Sequence, residues 1–388
     1  MKTRSDGWKR CLLGEVINLK RGYDLPSHQR QEGTVPIVSS AGVTGYHIES
    51  KVKGPGVVTG RYGTLGEVFF IRDDFWPLNT ALYIQDFKGN DERFISYFLK
   101  TLNFGRKNVA GAVPGVNRND LHMVPVILPS PKEQKEIAGI LSAYDDLIEN
   151  NTRRIRILEE MAQAIYREWF VEFHAPGVRL RKATPQEKAL TGKDRFPEGW
   201  EIKKIQDAFE TLGGGTPSTK EVAYWQDGEI NWFSPTDLTS ADAMFIGPSE
   251  KKITRLGLEK SAAKLFPPYS VMMTSRATIG VVSINTTEAC TNQGFITCIP
   301  NDRVSAFHIY FWILENKEKI IALASGATFK EISRGEFRDF DFILPSKAVE
   351  AQFIDMVEPM AKEIETLLHS ITNLRQTRDL LLPHLIKG

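Results

Sequence analysis

Glycine-rich stretches, scattered histidines and a few neighbouring carboxylates are the residues of this chain whose types could do chemistry. Glycine loops cradle phosphates when G-x-G-x-x-G, or G-x-x-x-x-G-K-S/T, opens a helix. "GPGVVTG" (54–60) and "GRYGTLG" (60–66) have the glycines without that spacing. "GGGTPSTK" (213–220) lacks the Gly-Lys-Ser/Thr order, and in "TGKD" (191–194) Asp194 follows the lysine. The seven histidines form neither the H-E-x-x-H zinc pair nor the H-x-E…C-x-x-C deaminase pattern. Asp73–Asp74, Asp145–Asp146 and Asp339 with Asp341 lack the strand-borne Glu-x-Lys of a nuclease metal site. Turn glycines and solvated carboxylates account for all of these, so no metal or cofactor site is expected in the chain itself.

A length of 388 residues predicts more than one domain, because single cores seldom grow past about 250–300 residues. No stretch approaches the roughly 18 apolar residues of a membrane span, and the N-terminal residues hold no signal-peptide core. Cys11, Cys290 and Cys298 show no metal-type spacing, which fits a reduced, cytoplasmic setting without membrane contact. The net charge is +1. Residues 1–130 carry a basic surplus of five and 201–345 an acidic surplus of three. A nucleic-acid face would therefore be a local arrangement and not a global field.

A strand-like run ends in "ILPSPKEQKEI" (127–137), and "ILPSKAVEAQFI" (343–354) makes the same move. Ser130 is placed to N-cap a helix, with Pro131 at its first position and Glu133 closing a capping box. Behind it Ile137, Leu141, Tyr144, Ile148, Asn151, Ile155, Leu158, Ala162, Ile165 and Trp169 recur at steps of four and three, a heptad seam. The same series returns 216 residues later as Phe353, Val357, Met360, Ile364, Leu367, Ile371, Leu374, Arg378, Leu381 and Leu385. Asn151 and Arg378 are polar seam residues, which either fix register or mark solvent-facing ends of the pairing. Pro359 predicts a kink or a late start in the second helix.

The segments before the helices echo each other too. "GPGVVTGRYGTLGEVFFI" (54–71) answers "PPYSVMMTSRATIGVVSI" (267–284), each with an arginine, Arg61 or Arg276, just before Thr-(Leu/Ile)-Gly. "NTALYI" from Asn79 answers "NQGFITCI" from Asn292. Short β-branched runs broken by Gly, Pro and Asn, plus one helical stretch per repeat, predict α+β domains. The organisation is then a domain (1–130), a long helix (131–174), a polar linker (175–199), a second domain (200–345) and a second long helix (346–388).

"VPGVNRNDLHMVPVILPSPKEQKEIAGIL" followed by "YDDLIENNTRRIRILEEMAQAIYREWFVEF" closely resembles the specificity (S) subunits of Type I restriction-modification systems. The resemblance covers essentially the whole chain, and rests on Pro-Gly-x-Asn-x-x-Asp-Leu at 114–121, the Leu-Pro-x-Pro-x-Glu-Gln turn and Trp169-Phe170. The second half departs from it: "FKEISRGEF" replaces the first motif, and Ser346-Lys347-Ala348-Val349 lacks the capping turn.

The resemblance implies two target-recognition domains held apart by two antiparallel coiled-coil helices, a pseudo-twofold internal repeat. It implies a chain that catalyses nothing itself. Two methyltransferase (M) subunits would bring S-adenosylmethionine for adenine methylation, and two restriction (R) subunits would bring ATP and magnesium chemistry. Double-stranded DNA would be read as an asymmetric two-part site, with half-site centres about 34 Å apart and the helices as a ruler. Base-edge readers are polar residues on loops. The expected ones are Ser39, Ser40, Tyr46, Arg61, Tyr62 and Asn117 in the first domain. In the second they are Ser234, Thr236, Arg276, Thr278, Thr328 and Lys330, with a bracing ion pair as the other reading of each arginine. Two alternatives stay open on residues alone: a self-sufficient DNA-modifying enzyme, and a coiled-coil interaction protein that does not bind DNA.

Overall fold

The computed structural model describes residues 7–61, 66–102, 117–241, 243–325 and 330–386. It divides into two compact units, Met1–Asn151 with Ser370–Gly388, and Thr152–His369. Each unit contains one domain of the repeat and a paired portion of both long helices.

In the first unit, strand Lys9–Leu12 pairs antiparallel with Pro125–Leu128, the strand that feeds the first long helix. A four-stranded antiparallel sheet has the spatial order Asn18–Arg21, Ala81–Asp86, Gly56–Gly60, Val68–Ile71. A smaller sheet sets Val35–Ser39 between antiparallel Gly42–His47 and parallel Trp76–Pro77. The second unit repeats this strand for strand. Glu201–Lys204 pairs with Asp341–Leu344. The large sheet runs Glu210–Gly213, Phe295–Ile299, Val271–Thr274, Val282–Asn285, with Phe245–Ile246 added at its edge. The small sheet sets Ile230–Phe233 between antiparallel Lys251–Ile253 and parallel Ala289–Thr291. The internal repeat is therefore one of topology.

The long helices span Pro131–Tyr166 and Lys347–Ile386, the first closing in a π-helical turn at Arg167–Val171. They pair antiparallel within each unit. In the first, Ile137, Ala138 and Leu141 share a core with Leu381, Leu385 and Ile386, Asp145 meets Arg378, and Asn151 meets Ser370. In the second, Arg154 Nη2 lies 2.5 Å from Glu363 Oε1, and Tyr166, Trp169 and Phe170 pack on Phe353. Of the expected seam residues, Ile148, Asn151, Ile155, Ile364, Leu367 and Ile371 are buried, while Leu158 and Leu374 are half-buried. Both polar seam residues are bonded across the pair: Asn151 Nδ2 donates to Ser370 Oγ at 3.2 Å, and Arg378 Nη1 to Asp145 Oδ1 at 2.6 Å.

Two local expectations need correction. Of the two outcomes expected at Pro359, a kink or a late start, the late start does not occur: the second helix begins at Lys347 and continues through Pro359. Proline removes the bond to the carbonyl four residues back, and Asp355 there is exposed, so water can take that carbonyl. Ser346 caps this helix despite the missing motif, its Oγ accepting from Val349 N at 3.4 Å. The polar 175–199 stretch also holds more structure than its composition suggests. Leu180–Lys182 pairs with Arg195–Pro197, and helix Pro185–Thr191 has a capping box between Thr184 and Glu187. Arg181 grips Glu187 through two bonds of 2.8 and 2.6 Å.

The same device ties each helix start to its domain. Gln134 is buried, and its Oε1 accepts from Asp91 N, the N-cap of helix Glu92–Thr101, at 3.0 Å. Glu350 stands at the equivalent place and accepts from Ser305 N, the N-cap of helix Ala306–Glu315, at 2.8 Å. Glu350 adds a 2.7 Å contact to His308 Nδ1, both side chains being buried. Burial pushes the Glu350 carboxyl up, but His308 and the Ser305 bonds outweigh it and hold it below the usual range.

Candidate nucleic-acid interface

At one corner of the first unit, strand Asn18–Arg21 runs into Gly22. There an added Cβ would lie 2.2 Å from the Leu78 carbonyl oxygen, so only glycine fits. Three backbone bonds gather the neighbouring segments: Tyr23 N to Pro77 O at 2.8 Å, Leu78 N to Val38 O at 2.8 Å, and Arg61 N to Thr80 O at 3.0 Å. Onto this corner come Asp24, Ser39, Arg61 and Asn79. Asn79 donates from Nδ2 to Asp24 Oδ1, and Arg21 Nη2 lies 3.6 Å from the same oxygen.

The second unit builds the same corner with other side chains. A Cβ at Gly214 would lie 2.0 Å from the Asn292 carbonyl oxygen. The glycines of "GGGTPSTK" thus serve a close backbone approach. Gly215 N donates to Thr291 O at 2.8 Å, Asn292 N to Phe233 O at 3.0 Å, and Ser275 N to Gly294 O at 2.8 Å. These match the three bonds of the first unit one for one. Thr216 Oγ1 donates to Gln293 Oε1 at 2.7 Å, at the place held by Asp24 and Asn79.

The predicted readers fall on these corners unevenly. Ser39 and Ser234 occupy equivalent places, each following the residue whose carbonyl takes the Leu78 or Asn292 N–H. Ser39 Oγ accepts from Ala41 N at 3.1 Å within its hairpin, next to half-buried Ser40. Ser234 Oγ donates to Asp237 Oδ2 at 2.6 Å at the start of helix Pro235–Ala241, on which Thr236 is exposed. Tyr46 is 59% exposed on the edge strand of the small sheet. Asn117 lies on a different element, capping helix Arg118–His122. Thr278 and Lys330 are exposed beside Arg276, with Ala277 N donating to Lys330 O at 3.3 Å. Tyr62 and Thr328 lie outside the described residues.

The two arginines do not superpose in register. The sheet places Arg61 with Ser275, since Gly60 faces Ala81 as Thr274 faces Phe295. The same register pairs Asn79 with Gln293, not with Asn292. Arg276 Nε forms a 2.7 Å ion pair with Glu331, and both side chains remain over 40% exposed (45% and 41%). Such a pair contributes little to stability in water, which leaves the guanidinium free to exchange partners.

Asp24, Asn79, Thr216 and Gln293 escaped sequence reasoning as candidates. Their signal was a glycine two residues before Asp24 and Thr216, and a one-residue shift of the "NTALYI" and "NQGFITCI" match. Chemically the corners offer carboxamides, hydroxyls and guanidinium groups, which suit hydrogen bonds to base edges and phosphates. Among the described residues, no group of three or more His, Cys, Asp or Glu is arranged to hold a metal ion. Among the described residues, likewise, no helix is long and apolar enough to cross a membrane.

A sequence profile described as Type I restriction modification DNA specificity domain matches residues 5–160 and again 197–373. The chain belongs to that family. Specificity subunits of Type I restriction enzymes are its similar proteins. One from Methanocaldococcus jannaschii, MjaIX, is 33% identical over 200 residues, which is 49% of this chain and 45% of the relative. The chain thus spans about half the length of that relative. The HindI specificity subunit of Haemophilus influenzae is 26% identical over 334 residues, 72% of each chain. The Type I S subunit structure from M. genitalium matches with a TM-score of 0.61 at 14% identity, covering 99% of this chain and 98% of that one. The fold is thus that of the specificity family, and the two profile matches coincide with the two repeats seen in the sheets.

Proposed function

We propose that this chain is a non-catalytic DNA-reading subunit of a Type I restriction-modification complex, in which each domain reads one half of an asymmetric two-part target. The observation that carries this reading is the pair of corners. One backbone frame is built twice, while the side chains at equivalent places differ: exposed Asp24 against exposed Thr216, half-buried Asn79 against exposed Gln293, half-buried Arg61 against buried Ser275. A repeated frame with unlike side chains suits one task performed on two unlike sequences.

The chemistry would come from partners: methyltransferase subunits with S-adenosylmethionine acting on adenine, and restriction subunits using ATP and magnesium. Exposed apolar residues on the long helices support docking of other chains. Ile140, Leu147 and Met161 are 48%, 50% and 47% exposed on the first, and Met356, at the place equivalent to Ile140, is 45% exposed on the second. The setting would be the cytoplasm, where the DNA is.

The test is a gel shift of genomic fragments by this chain with a candidate methyltransferase subunit, across a salt series. Sequence-specific retardation that needs this chain and weakens steeply with salt is expected. Methyl transfer by this chain alone would overturn the reading.

A further inference from the structure

Resting on that reading, we propose that Asn79 and Gln293 are the equivalent base-reading carboxamides, each recognising one adenine in its own half-site. Three observations carry this. The positions match: the three backbone bonds around each corner fix Asn79 opposite Gln293, and Asp24 opposite Thr216. Both carboxamides are accessible, Gln293 being exposed and Asn79 half-buried. Each is also held by a hydrogen bond with the residue two places beyond a close-approach glycine, Gly22 or Gly214: Asn79 donates to Asp24, and Gln293 accepts from Thr216.

The holding bonds matter because a carboxamide reads a base only when its oxygen and nitrogen ends are fixed. Adenine presents the N6 amino group as donor and N7 as acceptor in the major groove, and a carboxamide matches both at once. Asp24 takes one N–H of Asn79, leaving the other N–H for N7 and Oδ1 for the N6 amino group. Thr216 gives its hydroxyl proton to Gln293 Oε1, leaving a second lone pair there for the N6 amino group and both N–H groups for N7. The two-bond contact uses the carboxamide oxygen and the N–H beside it, so under this assignment Asp24 holds the N–H of Asn79 that points away from Oδ1, and each partner fixes which end faces which way. The residues differ in reach, Gln by one methylene, so the two adenines would sit at different depths from their frames.

The test maps adenine methylation in cells carrying the partner methyltransferase with the unsubstituted chain, Asn79→Ala, Gln293→Ala, Gln293→Glu or Thr216→Val. Asn79→Ala should make one adenine position degenerate in one half-site and leave the other half-site intact. Gln293→Ala should do the reverse, with a roughly tenfold or greater loss of discrimination at that position. Gln293→Glu replaces the donor by an acceptor and should shift that position toward cytosine, whose N4 amino group donates. Thr216→Val should relax the same position as Gln293→Ala. The half-site left intact in each variant reports that the chain is folded. Both half-sites unchanged in Asn79→Ala and Gln293→Ala, or methylation lost altogether in both Gln293 variants, overturns the assignment. Absence of any two-part motif with the unsubstituted chain would instead overturn the specificity role on which it rests.

Discussion

Arg378 donates from Nη1 to Asp145 Oδ1 at 2.6 Å, joining the second long helix to the first inside the first unit. The carboxylate is gripped from its own domain as well, by Tyr97 Oη at 2.5 Å and Arg93 Nη2 at 3.2 Å. One acid thus links a recognition domain, the helix that follows it and the far end of the other helix. Sequence placed Arg378 on the seam with two readings, a register residue or a solvent-facing end, and the contact across the helices suits the first.

Burial pushes the Asp145 carboxyl up, but the Tyr97 and Arg378 bonds hold it net below its ordinary 3.8. A depressed carboxylate contributes stability that is present above the unfolded value and lost as pH falls through the folded one. Asp145→Asn should therefore cost about 1–2 kcal/mol near neutrality, the range of a charge-assisted bond that is partly solvated. The gap between wild type and variant should close below pH 3.8. Paired denaturation curves at neutral and acid pH check this, and a gap that stays constant speaks against it.

Glu350 and Gln134 hold equivalent backbone donors. Glu350→Ala strips both Ser305 N and His308 of their acceptor in a buried place and should cost about 3 kcal/mol or more. Glu350→Gln keeps an acceptor for Ser305 and should cost less than half of that. Gln134→Ala loses only neutral bonds and should cost about 1–3 kcal/mol. Urea unfolding of the three variants orders them.

Glycine acts in opposite senses at two places. Gly214→Ala drives a Cβ to 2.0 Å from the Asn292 carbonyl oxygen and should destabilise the second corner by about 1–3 kcal/mol. Gly139 is exposed in the first long helix, and a Cβ there meets nothing within 4 Å. Gly139→Ala should stabilise the chain by about 0.5–1 kcal/mol. Melting temperatures should move in opposite directions.

The stretch 175–199 is rich in lysine and arginine, so trypsin would cut it readily were it an open linker. Hydrogen bonds from Arg181, and then from Thr184, hold the Glu187 carboxyl down to about 2. The bonded stretch should resist cleavage at neutral pH, whereas Glu187→Ala should be cut within it. Mass spectrometry of a short digest separates the two.

The helices were legible in sequence because a seam is a period. Residues at steps of four and three must face one way, and ten positions repeated 216 residues apart leave no room to slip. The strands were harder. A short strand of four residues carries little periodic signal, and a one-residue error flips every side chain. That is how Arg61 came to be matched with Arg276 when the ladder pairs it with Ser275. The corners were harder still, since Asp24 and Asn79 meet only when Gly22 lets two backbones touch. The folded 175–199 stretch was hidden because its order rests on one bidentate ion pair, a capping box and a single anchoring ring, Phe196 packed on Phe173, none of which shows as periodic apolar content.

The most direct test of the specificity role compares adenine methylation across host DNA in cells with the partner methyltransferase alone and with this chain added. The account predicts methylation at one asymmetric, two-part motif that appears only when this chain is present. Methylation unchanged by its presence, or confined to a single undivided motif, would contradict it.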